Sequence, residues 1–150
     1  MSRARWRATG WHAIVCALVL AMTSACAPRV EVPRWDPAAF RDLSTLEFLT
    51  VGANEGPHWS TVWLVVIDGH VYVRLGSRST DRMRQNTTSP FVGVRIAGHE
   101  YERVQAVDAA AMAERVGAAM REKYWSDVLV RYFPHPLVMR LEPDATAPAH

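Results

Sequence analysis

Apolar and polar residues change period several times along this chain, and each change marks an element. Ala13 to Met22 is an unbroken apolar run of about ten residues, short of the roughly 20 needed to cross a hydrocarbon core. Ala27 to Pro37 (APRVEVPRWDP) has no apolar period and reads as an extended tether. Ala38 to Leu43 then predicts a short helical turn, and Ser44 to Val51 (STLEFLTV) alternates as a first strand. Gly52 to His58 is a loop by composition. Thr61 to Ile67 (TVWLVVI) is almost continuously apolar, the pattern of a strand buried on both faces or lining a barrel, and it predicts the centre of the core. After Asp68-Gly69, His70 to Leu75 alternates, with Val71, Val73 and Leu75 on one face and His70, Tyr72 and Arg74 on the other. Asp-Gly between two such runs predicts a tight hairpin, because a type I′ turn needs positive φ at both central positions.

Beyond that hairpin, Ser79 or Thr80 is the expected cap of a helix spanning Asp81 to Thr87, with Asp81 complementing the dipole in its first turn. Ser89-Pro90 ends it, since the residue before a proline is pushed out of the α region. Phe91 to Ala97 (FVGVRIA) and His99 to Val107 (HEYERVQAV) predict a second hairpin around Ala97-Gly98. Strict alternation places Tyr101, Arg103 and Gln105 on one side and Glu100, Glu102, Val104 and Ala106 on the other, while Gly93 suggests a bulge or a close backbone approach. Asp108 caps the longest predicted helix, Ala109 to about Tyr124, whose apolar stripe is Met112, Val116, Met120 and Tyr124. Trp125 to Phe133 reads as helix continuation or loop, ended by Pro134 and Pro136. A last strand, Leu137 to Leu141 (LVMRL), precedes a polar tail expected to be disordered.

Charge changes this picture once the N-terminus is set aside. Residues 1–25 carry Arg3, Arg5 and Arg7 and no acid, which leaves 14 bases against 15 acids elsewhere. A nearly neutral domain lacks the electrostatic footprint of a nucleic-acid binder, and nucleic acid is not an expected partner. A basic opening, an apolar run and the small residues Thr23-Ser24-Ala25 together form an export signal. Thr-Ser-Ala-Cys, ending at Cys26, resembles the lipobox of bacterial lipoproteins, with Thr23 where leucine or valine is usual. The resemblance implies diacylglycerol on the Cys26 thiol, cleavage just before it, and commonly a further acyl chain, such as palmitate, on the new amino terminus. An ordinary cleaved signal with an incidental cysteine is the alternative. Two or more acyl chains, at about 0.8 kcal/mol per buried methylene, anchor a protein durably. Cys16 lies in the apolar run and Cys26 at its boundary, which leaves the domain neither a disulfide nor a catalytic thiol.

TVWLVVIDGHVYVRLGSRS, then Asn86-Thr87-Thr88-Ser89-Pro90 before FVGVRI, then AMREKYWSD and LVMRLEP resemble the FMN-binding split-barrel superfamily, which includes pyridoxamine phosphate oxidase-like proteins and deazaflavin-dependent reductases. The resemblance covers Phe48 to Pro143. It implies a mainly β, α+β fold: a six-stranded split β-barrel with one short and one long helix. The expected organisation is a signal peptide (1–25), a lipidated cysteine and extended tether (26–43), the barrel domain (44–143) and a disordered tail (144–150). Split barrels commonly pair, which makes a homodimer an expected assembly. Carried over by position, Arg74, Arg78, Ser79 and Arg82 stand where flavin-binding members hold the cofactor phosphate, so FMN, a deazaflavin or another phosphate-bearing small molecule is the implied ligand. Guanidinium forks match phosphate oxygens bidentately, and helix N-terminal amides add donors. The plain alternative is a solvated or acid-paired rim that also includes Arg84, with Asp81 or Glu102 as partners. No Gly-rich cradle or Ser-x-x-Lys accompanies these arginines.

Other constellations are thinner. Trp59 and Trp63 suit stacking on a flavin ring or simple packing in a strand. His58, His70, His99 and His135 stand singly near turns, without the converging three or four ligands of a zinc site. Ser60 or Ser79 with His70 and Asp68 lacks a nucleophile elbow. Two readings follow. One is a lipoprotein of the bacterial cell envelope with a non-catalytic ligand-binding or contact domain, and the other is a flavin- or deazaflavin-dependent oxidoreductase using the Arg74 to Arg84 rim.

Overall fold

The structure, a computed structural model, describes residues 34–124 and 137–144. The expected signal peptide, Cys26, the first part of the tether, the Trp125 to Phe133 segment, His135 and the end of the tail lie outside the described residues. Six strands form the described architecture: β1 (Thr45–Gly52), β2 (Gly56–Ile67), β3 (His70–Leu75), β4 (Phe91–Ile96), β5 (His99–Asp108) and β6 (Leu137–Pro143). Helix α1 (Ser77–Arg84) follows β3, and α2 (Ala113–Lys123) follows β5 after a 3-10 turn at Ala110–Met112. The strands close into an antiparallel barrel in the order β1-β2-β3-β6-β5-β4, with β4 returning to pair with β1.

Both predicted tight turns form. Asp68 and Gly69 have φ of 51° and 76°, and Ala97 and Gly98 have 53° and 78°, the double positive φ of a type I′ turn. These turns and the start of β1 mark one end of the barrel, called here the strap end. The β1–β2 turn and α1 mark the other, the rim end. Alternation sorts the core into two parts. Leu64, Val71, Val73 and Leu75 point into the barrel with Phe48, Val94 and Val104. Val65, Ile67 and Tyr72 point outward and are covered by Val116 and Met120 of α2, with Met112 and Tyr124 packed alongside. The TVWLVVI run is therefore apolar on both faces because one face fills the barrel and the other receives a helix.

Four local expectations are corrected. The loop placed at Gly52 to His58 is only Ala53–Glu55, because Gly56 adopts φ +74° and the chain reverses early enough for Pro57 and His58 to pair with Val51 and Thr50. Helix α1 starts at Ser77, with Gly76 as its extended N-cap and no side-chain cap. Thr80, expected as a cap, is fully buried, with its hydroxyl donating to the Leu75 carbonyl at 3.3 Å. In β5 the register shifts, with Val104 opposite Val92 but Tyr101 opposite Val94, so Glu102 and Arg103 face the single residue Gly93. This bulge turns Tyr101 to the same interior as Val104 and Ala106, against the expected split of the strand. Asp108 remains in the sheet, paired with Met139, while its carboxylate accepts the Ala110 amide at 2.8 Å; the α-helix proper begins only at Ala113.

Candidate functional site

The expected phosphate rim lies where β3 runs into α1. Thr80 and Met83 of α1 are buried against the barrel. Helical spacing then places Arg78 and Arg82, four residues apart, together on the opposite side. Arg78 is exposed and Ser79 half-buried in the first turn. No side chain caps that turn, whose amides have no acceptor within the helix. Arg74 is half-buried and engaged.

Arg82 is committed elsewhere. Its Nη2 lies 2.7 Å from Glu55 Oε1 and its Nε 3.0 Å from Oε2, a fork on the tip of the β1–β2 hairpin. The hydrogen bond from Arg82 holds the Glu55 carboxyl below its ordinary value, and the same bond raises the guanidinium. Arg84 approaches Asp81 at 3.8 Å. Of the acid partners expected, Asp81 thus approaches Arg84, whereas Glu102 sits in the β5 bulge opposite Gly93, and the tighter partner is Glu55, which was not expected.

The remaining candidates separate. Ser60 lies inside the barrel near the rim end, buried, with a hydroxyl that has no hydrogen-bond partner. Asp68 is at the strap end, where Arg115 grips it through Nη1 at 2.6 Å and Nη2 at 3.0 Å. The seven strand residues Thr61–Ile67 part Ser60 from Asp68, so these two do not meet in a serine–histidine–aspartate relay. His58 pairs with Thr50 near the rim end, whereas His70 and His99 flank the two strap-end turns. Among the described residues no three histidines, cysteines or acids are placed to hold a metal ion. Trp59 lies under the Arg95 guanidinium, 3.8 Å from the ring centroid, and Trp63 stacks on Tyr124 at 5.3 Å and 18°. Two grooves in the described surface lie away from the rim: one beside the Ala97-Gly98 turn, between Thr45–Glu47 and Arg95–Glu100, and one between Asp68 and α2.

The polar residues that do organise the molecule were not among the candidates. Asn86 is buried and ties three segments together: its Oδ1 accepts the Val51 amide at 2.9 Å and the Thr88 hydroxyl at 2.9 Å, and its Nδ2 donates to the Phe91 carbonyl at 2.9 Å. Lys123 Nζ donates to the carbonyls of Arg41 at 2.8 Å and Leu43 at 2.6 Å, and burial pushes its pKa down. The Tyr124 hydroxyl lies 2.6 Å from both the Ser44 and Leu64 carbonyls, and burial pushes its pKa up. A lone Asn-Thr-Thr after a helix and a Lys-Tyr pair ending an apolar stripe were the available signals.

No family model matches this chain, and no curated protein matches it. Several solved structures are similar. The crystal structure of HutZ, the heme storage protein from Vibrio cholerae, superposes with a TM-score of 0.51 at 17% identity, covering 71% of this chain and 87% of that one. A conserved hypothetical protein, Rv2991, from Mycobacterium tuberculosis gives 0.50 at 19%, covering 75% and 82%. At such identities the likeness speaks to architecture alone, and with the closed six-stranded sheet and its two helices it shows that this chain has the split-barrel fold.

Proposed function

We propose that this protein is an exported lipoprotein of the bacterial cell envelope, held on a membrane by acylated Cys26, whose split barrel is a non-catalytic ligand-binding or contact module. The observation that supports the non-catalytic part is the Arg82–Glu55 fork: a strong cation of the expected phosphate rim already neutralises an acid of its own chain. The anchor rests on the signal-like leader and the Thr-Ser-Ala-Cys segment. Cys26→Ser releases the protein from the membrane fraction under this reading; a variant that stays bound refutes lipidation there.

A flavin- or deazaflavin-dependent oxidoreductase is the second reading, favoured by exposed Arg78 beside the uncapped first turn of α1. Arg74, Arg78 and Ser79 would hold the cofactor phosphate, and Arg82 would join them only by leaving Glu55. The bound group would supply the redox chemistry. The fold shared with a heme storage protein makes heme a second compound to titrate. Glu55→Gln separates the readings, because it frees Arg82. Under the first, FMN affinity stays negligible in the wild type and in the variant, and heme binding without Arg78 dependence would make the module a ligand binder. Under the second, Glu55→Gln tightens FMN binding several-fold, and Arg78→Ala abolishes the gain.

A further inference from the structure

Residues 34–43 are the described part of the expected tether, and they are folded chain. Turn hydrogen bonds run from Ala39 N to Asp36 O at 3.1 Å and from Leu43 N to Phe40 O at 3.1 Å. Phe40, only 3% exposed, enters the barrel core. The Trp35 ring packs edge-on against Phe40 at 5.0 Å and Tyr101 at 5.1 Å. Lys123 clasps the carbonyls of Arg41 and Leu43 from outside. All of these contacts lie at the strap end, opposite α1.

Resting on the reading that Cys26 carries the lipid, we infer that this strap fixes which surface meets the membrane: the strap end faces the lipid and the α1 rim faces away. Lengths decide the matter. From Cys26 to Ser44, a free tether would reach about 60 Å when fully extended, but the eight steps from Cys26 to Arg34 reach only about 27 Å. At the roughly 3.1 Å per residue of proline-rich linkers, the same eight steps would span about 25 Å. The 12 residues of β2, tilted as barrel strands are, make the barrel roughly 30 Å tall. A long tether lets either end touch lipid, whereas the strapped one leaves the rim out of reach. On the strap, exposed Arg34 and Arg41 are balanced by exposed Asp36 and Asp42, so the orientation rests on tether length and not on charge. Arg78 is turned toward molecules beyond the membrane surface, so its partner is an anionic group that is not a headgroup of the anchoring leaflet.

Energy transfer to a dye in the lipid surface tests this in the full chain on its own membranes. The domain has no cysteine, so a donor attaches at a single site. His99→Cys reports the strap end and Ala53→Cys the rim end, both exposed. Transfer several-fold stronger from position 99 is expected; equal or reversed transfer overturns the orientation. Inserting 12 Gly/Ser residues between Glu31 and Val32 leaves the strap untouched and is expected to level the two signals. An asymmetry that survives the insertion overturns the role given to tether length. If Cys26→Ser stays membrane-bound, the lipid reading fails and takes the inference with it, whereas Cys26-dependent binding with equal transfer sinks the orientation alone.

Discussion

At the scale of single residues, the side chains that matter most are polar groups bonded to backbone. Asn86 supplies both an acceptor and a donor at a site closed to water, and an unmade bond there costs the desolvation of the group left behind. Asn86→Ala is expected to lower stability by about 2 kcal/mol, because the Val51 amide is stranded while Thr88 still reaches the Phe91 carbonyl. A shift of the urea midpoint with unchanged slope is the expected signature. The Arg82–Glu55 fork adds a pH dependence. Glu55 is held below its ordinary 4.5, so its contribution is present above about pH 4.5 and is lost as pH falls through the lower folded value. Glu55→Gln should flatten the acid side of a stability–pH profile by lowering neutral stability, the two changes being equal and small because the pair is exposed. In the sequence the four arginines were legible as a cluster, but Glu55, 27 residues before Arg82, was not legible as their partner. That pairing exists only because a three-residue turn brings the β1–β2 tip over α1.

Elements are legible where their causes are local. Asp68-Gly69 and Ala97-Gly98 specify their turns by backbone sterics alone, and both appear as expected. Ala97 nevertheless holds φ of 53°, where an alanine Cβ is strained and asparagine is tolerated. Ala97→Asn should therefore stabilise the protein by about 1 kcal/mol, read as a higher thermal midpoint; an unchanged or lower midpoint would count against strain at this turn. Non-local causes hide the rest. The phase of β5 depends on a bulge opposite Gly93, and no pattern within His99–Asp108 announces it. Gly93 is where the constraint shows: a Cβ there would stand 3.3 Å from Leu49 Cβ and 3.6 Å from the Trp59 ring. Gly93→Val is expected to cost about 1–3 kcal/mol through overpacking and to disturb the Trp59 environment. Tryptophan fluorescence together with a denaturant titration checks both, and full stability with unchanged emission would show that the contact is slack.

For the whole molecule, the succession of strands and helices, the apolar core strand and the stripe of α2 follow from alternation and turn chemistry, whereas closure into a barrel was implied by the resemblance to split-barrel proteins and is shown by the pairing of β4 with β1. The helical turn expected at Ala38 to Leu43 forms, but its place in the core was not legible and the stretch up to Pro37 was read as extended tether, because prolines and charges obscure the single buried side chain that matters. Phe40 closes the strap end beside Trp35 and Tyr101, joining the interior cluster that the strands alone leave open. Truncating a buried phenylalanine removes its transfer free energy and leaves a cavity, so Phe40→Ala should cost about 3–5 kcal/mol, a large share of the stability of a domain this small. Trp35, half-buried at the surface of the same cluster, should cost less. If residues 34–43 belong to the folding unit, Phe40→Ala shifts the whole cooperative transition, and Val116→Ala in the separate outer core shifts it too. If they are an appendage, Phe40→Ala leaves the barrel's transition in place and only loosens the strap, seen as faster amide exchange confined to residues 39–43. The burial of Phe40 and the clasp of Lys123 on the Arg41 and Leu43 carbonyls favour the single shared transition.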